Sequence, residues 1–340
     1  MTEQKTGKVG LIFVGNATFS SNAAYNLYRT NASARAMYEK SWTMLETRSE
    51  FERCYETSLD SIGKLTRIKF ISGTVDEREF VERSVNPETM LFISNHVLFN
   101  ILKENWQGFN YSVSGGHGAG FINAIVEAGA VTYEVALQLV RKGSEHLRKF
   151  TNDINGGYLH TFKLSPADTN MIRDLGGIHP AITNTPWNVS YGGLLPHLEK
   201  ARQELIKRGN KKIGELEPAI PFHTPLVQKI SEYLEELVLP IIFKKPQTEI
   251  LGSSSNTVMR DPDLIKKEVC RLPYSPIDFF GLLVKMLEFE IDSYVVAGAD
   301  NEGLLSKMVT HNLKNIKGES YNPQVVSVRN HASLEKLLLT

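Results

Sequence analysis

The chain has 340 residues, 41% of them hydrophobic, and a formal net charge of zero from 38 basic and 38 acidic side chains. That length can bury a large core, as two units or as one large unit with an insertion. Balanced charge argues against nucleic acid as the main partner, which needs clustered Lys and Arg, and no apolar run reaches the roughly 18 residues of a membrane span. The two cysteines, Cys54 and Cys270, sit far apart without metal spacing, which suits a reduced compartment. The start "MTEQKTGKVG" lacks an apolar core of a secretory signal, so a cytoplasmic protein is expected.

In chain order, Val9 to Gly15 ("VGLIFVG") is a continuous apolar run ending in glycine. It predicts a strand buried on both faces, as in a parallel sheet. "NPETMLFISNHVLFNILKEN" has helical apolar spacing, with Asn86 as N-cap and Pro87 at the first position. "NYSV" predicts a short strand, and "AGFINAIVEAG" a helix closed by Gly129. "TYEVALQLVRKGSEHLRKF" predicts an amphipathic helix capped by Thr132.

Beyond Thr151 the texture changes. "NGGYLHTFKLS" and "HPAITNTPWNVSYGG" read as short strands, and "LPHLEKARQELIKRG" as a helix. The basic run Lys207 to Lys212 reads as a solvated loop. The α/β rhythm returns from Pro221: helix "TPLVQKISEYLEELV", strand "TEILGSS", helix "PIDFFGLLVKMLEFE", strand "DSYVVAG" and helix "GLLSKMVTHNL". The expected organisation is a large α/β unit from residues 1–151 and 220–340, with a small α+β insertion over 152–219.

The stretch with chemical content is Tyr111 to Gly129, "YSVSGGHGAGFINAIVEAG". It reads as strand, tight glycine turn, helix, the device by which an α/β protein presents a nucleophile. Yet its tip is Gly118.

In the order of its motifs, over about residues 8 to 318, the chain resembles the malonyl-CoA:acyl carrier protein transacylase family of fatty-acid and polyketide synthesis. "FVGNATF" stands where that family has Gly-Gln-Gly-Ser-Gln, "NPETMLF" stands at its Gln-Pro pair, and "GGHGAG" stands at its Gly-His-Ser-x-Gly elbow. Asn184-Thr185-Pro186 matches an Asn-Ser-Pro turn, "PFHTPLV" around His223 matches Phe-His-Ser-Pro-Leu, and "VVAGADNEGLLSKMV" follows the terminal strand-glycine-helix.

The resemblance implies an α/β-hydrolase-like large domain with a ferredoxin-like α+β small subdomain, and a site between them. It also implies acyl thioesters of CoA or phosphopantetheine as substrates, with no bound cofactor or metal. Acyl carrier protein or a polyketide synthase would be the partner, and the family's habit suggests a monomer.

In the family a serine attacks the thioester, a histidine takes its proton, and two backbone N–H groups hold the oxyanion. Those roles carry over to Gly118 (a degenerate nucleophile position), His223 as base, His117 beside the elbow, and the N–H groups of Asn16 and Ala119. The family's arginine for the malonyl carboxylate falls on Gly143 in an ungapped count, and a one-residue shift brings in Lys142. Asn184 and Glu88 complete the expected substrate-binding set.

Losing the nucleophile of a serine triad costs about 10⁶ in rate, so no acyl-serine is expected at position 118. Asn16-Ala17-Thr18-Phe19, Gly143 and Ala299-Asp300 also depart from the family pattern, which reads as divergence rather than one engineered change. Ser112 and Ser114 read as strand residues, and Cys54 and Cys270 as core thiols. The remaining histidines have no zinc spacing, and "GGHGAG" lacks the Gly-Lys-Ser/Thr of a phosphate loop. Three outcomes stay open: altered acyl transfer, His-assisted thioester hydrolysis on water, or a silent acyl- or carrier-binding homologue.

Overall fold

The computed structural model of the chain describes residues 8–46, 86–106, 108–151, 153–329 and 333. Cys54 and His331 lie outside the described residues. Elements are numbered over the described residues.

Strand β1 (Val9–Phe13) lies at the centre of a five-stranded sheet. The order is β10 (Gln324–Val328), β9 (Ser293–Ala297), β1, β2 (Val113–Gly116), β7 (Glu249–Ile250), and all pairs are parallel. The continuous apolar run follows from this placement, because both faces of a central parallel strand are covered. Leu11 and Phe13 enter one core cluster, while Ile12 and Val14 enter another on the opposite side. The strand expected over "TEILGSS" is shorter, since only Glu249 and Ile250 pair with β2 at the sheet edge.

Helices α1 (Ser21–Thr30), α2 (Ala32–Glu46) and α3 (Pro87–Asn105) precede β2. The α3 start is as expected: Asn86 Oδ1 accepts from the Thr89 N–H at 2.8 Å, and Pro87 occupies the first turn. Helix α4 (Gly120–Glu127) follows β2 and ends with Gly129 at φ +75°, a left-handed cap. In α5 (Tyr133–Thr151) the Thr132 hydroxyl accepts from the Val135 N–H at 3.4 Å.

The second sheet is built from β3 (Gly156–Phe162), α6 (Pro166–Asp174), β4 (Ile178–Thr185), β5 (Asn188–Leu194), α7 (Leu195–Lys207) and β6 (Ile213–Pro218). The strand order β6-β3-β5-β4 is antiparallel throughout, and the element order is the β-α-β-β-α-β of the ferredoxin-like motif. Leu159, Ile172, Tyr191, Leu198 and Leu205 form its own core. The sequence did not foresee that β8 (Ile277–Asp278), from the second half of the large unit, joins this sheet beside β4 in parallel.

The expected helix over "TPLVQKISEYLEELV" is two pieces, a 3₁₀ stretch Pro225–Ile230 and then α8 (Ser231–Val238). Short 3₁₀ turns are common at helix starts. Helices α9 (Pro262–Arg271), α10 (Phe279–Met286) and α11 (Leu304–Lys317) follow in the second half of the chain.

Glycines let the ends of β1 and β2 close on the following helix. A Cβ on Gly15 would overlap the His117 carbonyl oxygen, and one on Gly116 would overlap the Gly120 backbone. Backbone cannot step aside as a side chain tip can. Gly15→Ala is therefore expected to cost about 3 kcal/mol, at the upper end of overpacking, read as a lower urea midpoint without a change in slope.

Candidate active site

The turn from β2 into α4 carries His117, Gly118 and Ala119 on the wall of a cavity of about 650 Å³. Gly118 has φ +55°, the left-handed conformation that strains any other residue. The turn is braced from below, where Ser253 Oγ donates to the Gly116 carbonyl at 2.9 Å.

Above Gly118 stands His223. A Cβ built on Gly118 would lie 3.4 Å from His223 Nε2 and 3.7 Å from Cε1, and apart from the flanking His117 and Ala119 nothing else stands within 4 Å. Neither Phe19 nor Phe121 fills that space: Phe19 lines the cavity elsewhere, and Phe121 is fully buried. His223 itself has φ +62°, unusual for a residue with a side chain. Its ring is fixed because Nδ1–H donates to the Leu272 carbonyl at 2.8 Å. That bond leaves Nε2 as the bare acceptor, facing the elbow. Burial lowers the His223 pKa to about 4, against the Leu272 bond that raises it and with a further lowering from His117. The imidazole is therefore neutral, and its Nε2 lone pair is available, through the neutral range.

His117 points away from solvent, 2% exposed. Its Nε2–H donates to Asn184 Oδ1 at 2.9 Å, and its ring lies 5.0 Å from that of Phe279. Asn184 is held in turn, because its carbonyl accepts from Asn312 Nδ2 on α11 at 2.7 Å. Burial lowers the pKa of His117, opposed by the Asn184 bond. These contacts tie the elbow to both sheets.

Asn16 and Ala119 both line the cavity. Among the described residues, no backbone carbonyl accepts from either of their N–H groups. Ala119 stands at the N-terminus of α4, where donors lack intrahelical partners. On α5, Gly143, Ser144, Leu147 and Arg148 face the cavity. Glu88, at the start of α3, faces it too, and both of its oxygens accept from Arg148 Nη2, at 3.0 and 2.8 Å.

Two expected site residues are placed differently. Lys142 is not among the lining residues, because the α5 face that meets the cavity is the one carrying Gly143 and Leu147. Asn184 does not line the cavity either; it reaches His117 from behind. Arg148 is a lining residue that sequence reading missed. Its signal was the helical repeat itself, since 144 and 148 lie on one face. Ser112 is half-buried and not on the cavity wall, and two further nucleophile candidates are shut away. Ser114 is fully buried in β2, and Cys270 is 8% exposed with its thiol pushed up to about 11 by burial.

No protein-family model matches the chain. The malonyl CoA-acyl carrier protein transacylase of Bacillus subtilis is 22% identical over 316 residues, 91% of this chain and 92% of that protein. Among solved structures, the malonyl-CoA:acyl carrier protein transacylase of Xanthomonas oryzae superposes with TM-score 0.79 at 17% identity, covering 99% of this chain and 98% of that one. A malonyl-transacylase solved in complex with its type II PKS acyl-carrier protein superposes with TM-score 0.78 at 15% identity, covering 98% and 99%. This chain resembles the malonyl-CoA:acyl carrier protein transacylases in sequence and in fold.

Set against the transacylase motifs, the elbow, its histidine and the Phe-His-x-Pro-Leu histidine come together on one cavity, as His117, Gly118 and His223. The terminal motif is also close by. Phe19 bridges Asp300, whose carboxylate accepts from the Leu305 N–H at 3.0 and 3.2 Å. Among the described residues, no cluster of His, Cys, Asp and Glu could hold a metal ion, and no helix is long and apolar enough to cross a membrane.

Proposed function

We propose that this chain binds acyl thioesters of CoA or of an acyl carrier protein, of the kind handled in fatty-acid and polyketide synthesis. We propose further that its chemistry uses an external nucleophile in place of an elbow serine. The observation that carries this reading is the open space over Gly118 with one basic nitrogen, His223 Nε2, facing it. The names of the relatives support the thioester class, and the complex with a carrier protein supports the partner.

Water has room to sit where a serine hydroxyl would be. His223 Nε2 takes its proton as the oxygen bonds to the thioester carbonyl carbon. The carbonyl electron pair moves onto oxygen, facing the N–H groups of Asn16 and Ala119. Collapse breaks the C–S bond, and the imidazolium returns the proton to the departing thiolate. The products are a carboxylic acid and a free thiol.

The test is to incubate the chain with an acyl-CoA and follow both thiol release and intact protein mass. Release of thiol with no mass gain on the protein is the expected result. Thioester binding with no release would leave a non-catalytic holder of acyl groups or carrier protein. A stable mass gain at the unaltered chain would overturn the external-nucleophile reading.

A further inference from the structure

Resting on the thioester reading above, we infer that the acyl end of the cavity selects an uncharged, apolar acyl chain and rejects one ending in a carboxylate. The acyl end is defined by α5, α8 and α9, which contribute Leu139, Val140, Leu147, Leu234 and Val269, with Leu272 just beyond. No side chain projects from Gly143 into it, and Leu234 Cδ2 lies 3.3 Å from where a Cβ on Gly143 would stand. An apolar group thus occupies the place from which α5 would otherwise present a longer side chain.

The charges point the same way. Among the described residues, the charged side chains lining the cavity are Glu88, Arg148 and Glu217. Arg148 is held by both oxygens of Glu88. Glu217 Oε2 accepts from His160 Nε2 at 2.9 Å. With Arg148 held by Glu88 and His160 by Glu217, the lining has no spare positive charge. An incoming carboxylate would lose its water and meet either apolar surface or a guanidinium already paired. A hydrocarbon chain meets no such penalty, and each methylene it buries should tighten binding about fourfold.

The experiment is calorimetric titration of the full chain, and of His223→Ala to suppress turnover, with acetyl-, isovaleryl-, hexanoyl- and malonyl-CoA and with free CoA. Isovaleryl and malonyl have nearly the same shape, so their ratio reads the carboxylate's charge together with the apolar burial it forgoes. Isovaleryl-CoA is expected to bind at least about tenfold tighter than malonyl-CoA, and hexanoyl-CoA tighter still, in line with the per-methylene gain. Val140→Phe should weaken hexanoyl-CoA about fivefold or more and acetyl-CoA by less, because the ring takes up cavity volume that only the longer chain needs. Glu88→Gln should narrow the isovaleryl-to-malonyl ratio by releasing Arg148. Malonyl-CoA binding as tightly as isovaleryl-CoA overturns the inference and leaves the thioester reading standing. If no thioester binds better than free CoA, the thioester reading itself falls and the inference with it.

Discussion

Gly118→Ser is expected to turn a chain that gains no mass with acyl-CoA into one that gains the mass of one acyl group. The geometry is already set for it. The new Cβ would stand 3.4 Å from His223 Nε2 and, its two chain neighbours aside, meet no other residue's side chain within 4 Å. The hydroxyl can therefore reach hydrogen-bond distance of a neutral imidazole whose other nitrogen is tied to the Leu272 carbonyl. That is the nucleophile, base and orienter arrangement of acyl transfer. The cost is local, since a non-glycine residue at φ +55° costs about 1–2 kcal/mol. The variant should melt a few degrees lower and still fold. Intact-mass measurement after mixing with acyl-CoA decides the matter. A folded variant that binds the thioester yet gains no mass would mean that the carbonyl does not lie over residue 118.

Much of this arrangement was legible in the sequence because it rests on local rules. The run Val9 to Gly15 announced a strand covered on both faces, and β1 sits at the centre of a parallel sheet. Asn86-Pro87 and Gly129 announced helix ends by capping chemistry, and the described structure shows both. Gly15 reads only as the end of an apolar run and Gly116 and Gly120 as parts of a glycine turn, but each permits backbone contact that no Cβ would fit. What the sequence could not give was long-range. The pairing of β8 with β4 joins elements about a hundred residues apart. The turning of Asn184 toward His117 depends on Asn312 behind it. The Arg148–Glu88 pair likewise needs α5 laid beside the start of α3, so a motif count that centred on Lys142 and Gly143 passed over the arginine that faces the cavity.

His223→Ala is expected to lower thioester turnover by about 10²–10⁴, the usual range for a general base, with thioester affinity largely retained. The pH profile separates this role from a structural one. Burial holds the His223 pKa near 4, below the ordinary histidine value of about 6.5. Only the neutral ring can take a proton, so the rate should be flat from neutrality down to about pH 5 and be halved near pH 4. An imidazole freely exposed to water would give that limb near pH 6.5. The same shift acts on stability with a definite sign. The unfolded chain binds a proton at His223 more readily than the folded chain, so this residue's contribution is full above about 6.5 and is lost as pH falls toward about 4. The alanine variant lacks that loss. Its unfolding free energy should therefore fall less steeply than that of the unaltered chain between pH 6.5 and 4, measured by urea titration. An acid limb in turnover near 6.5, or equal stability slopes in the two proteins, would remove His223 as a buried neutral base. The open space above Gly118 would then hold no group able to activate water.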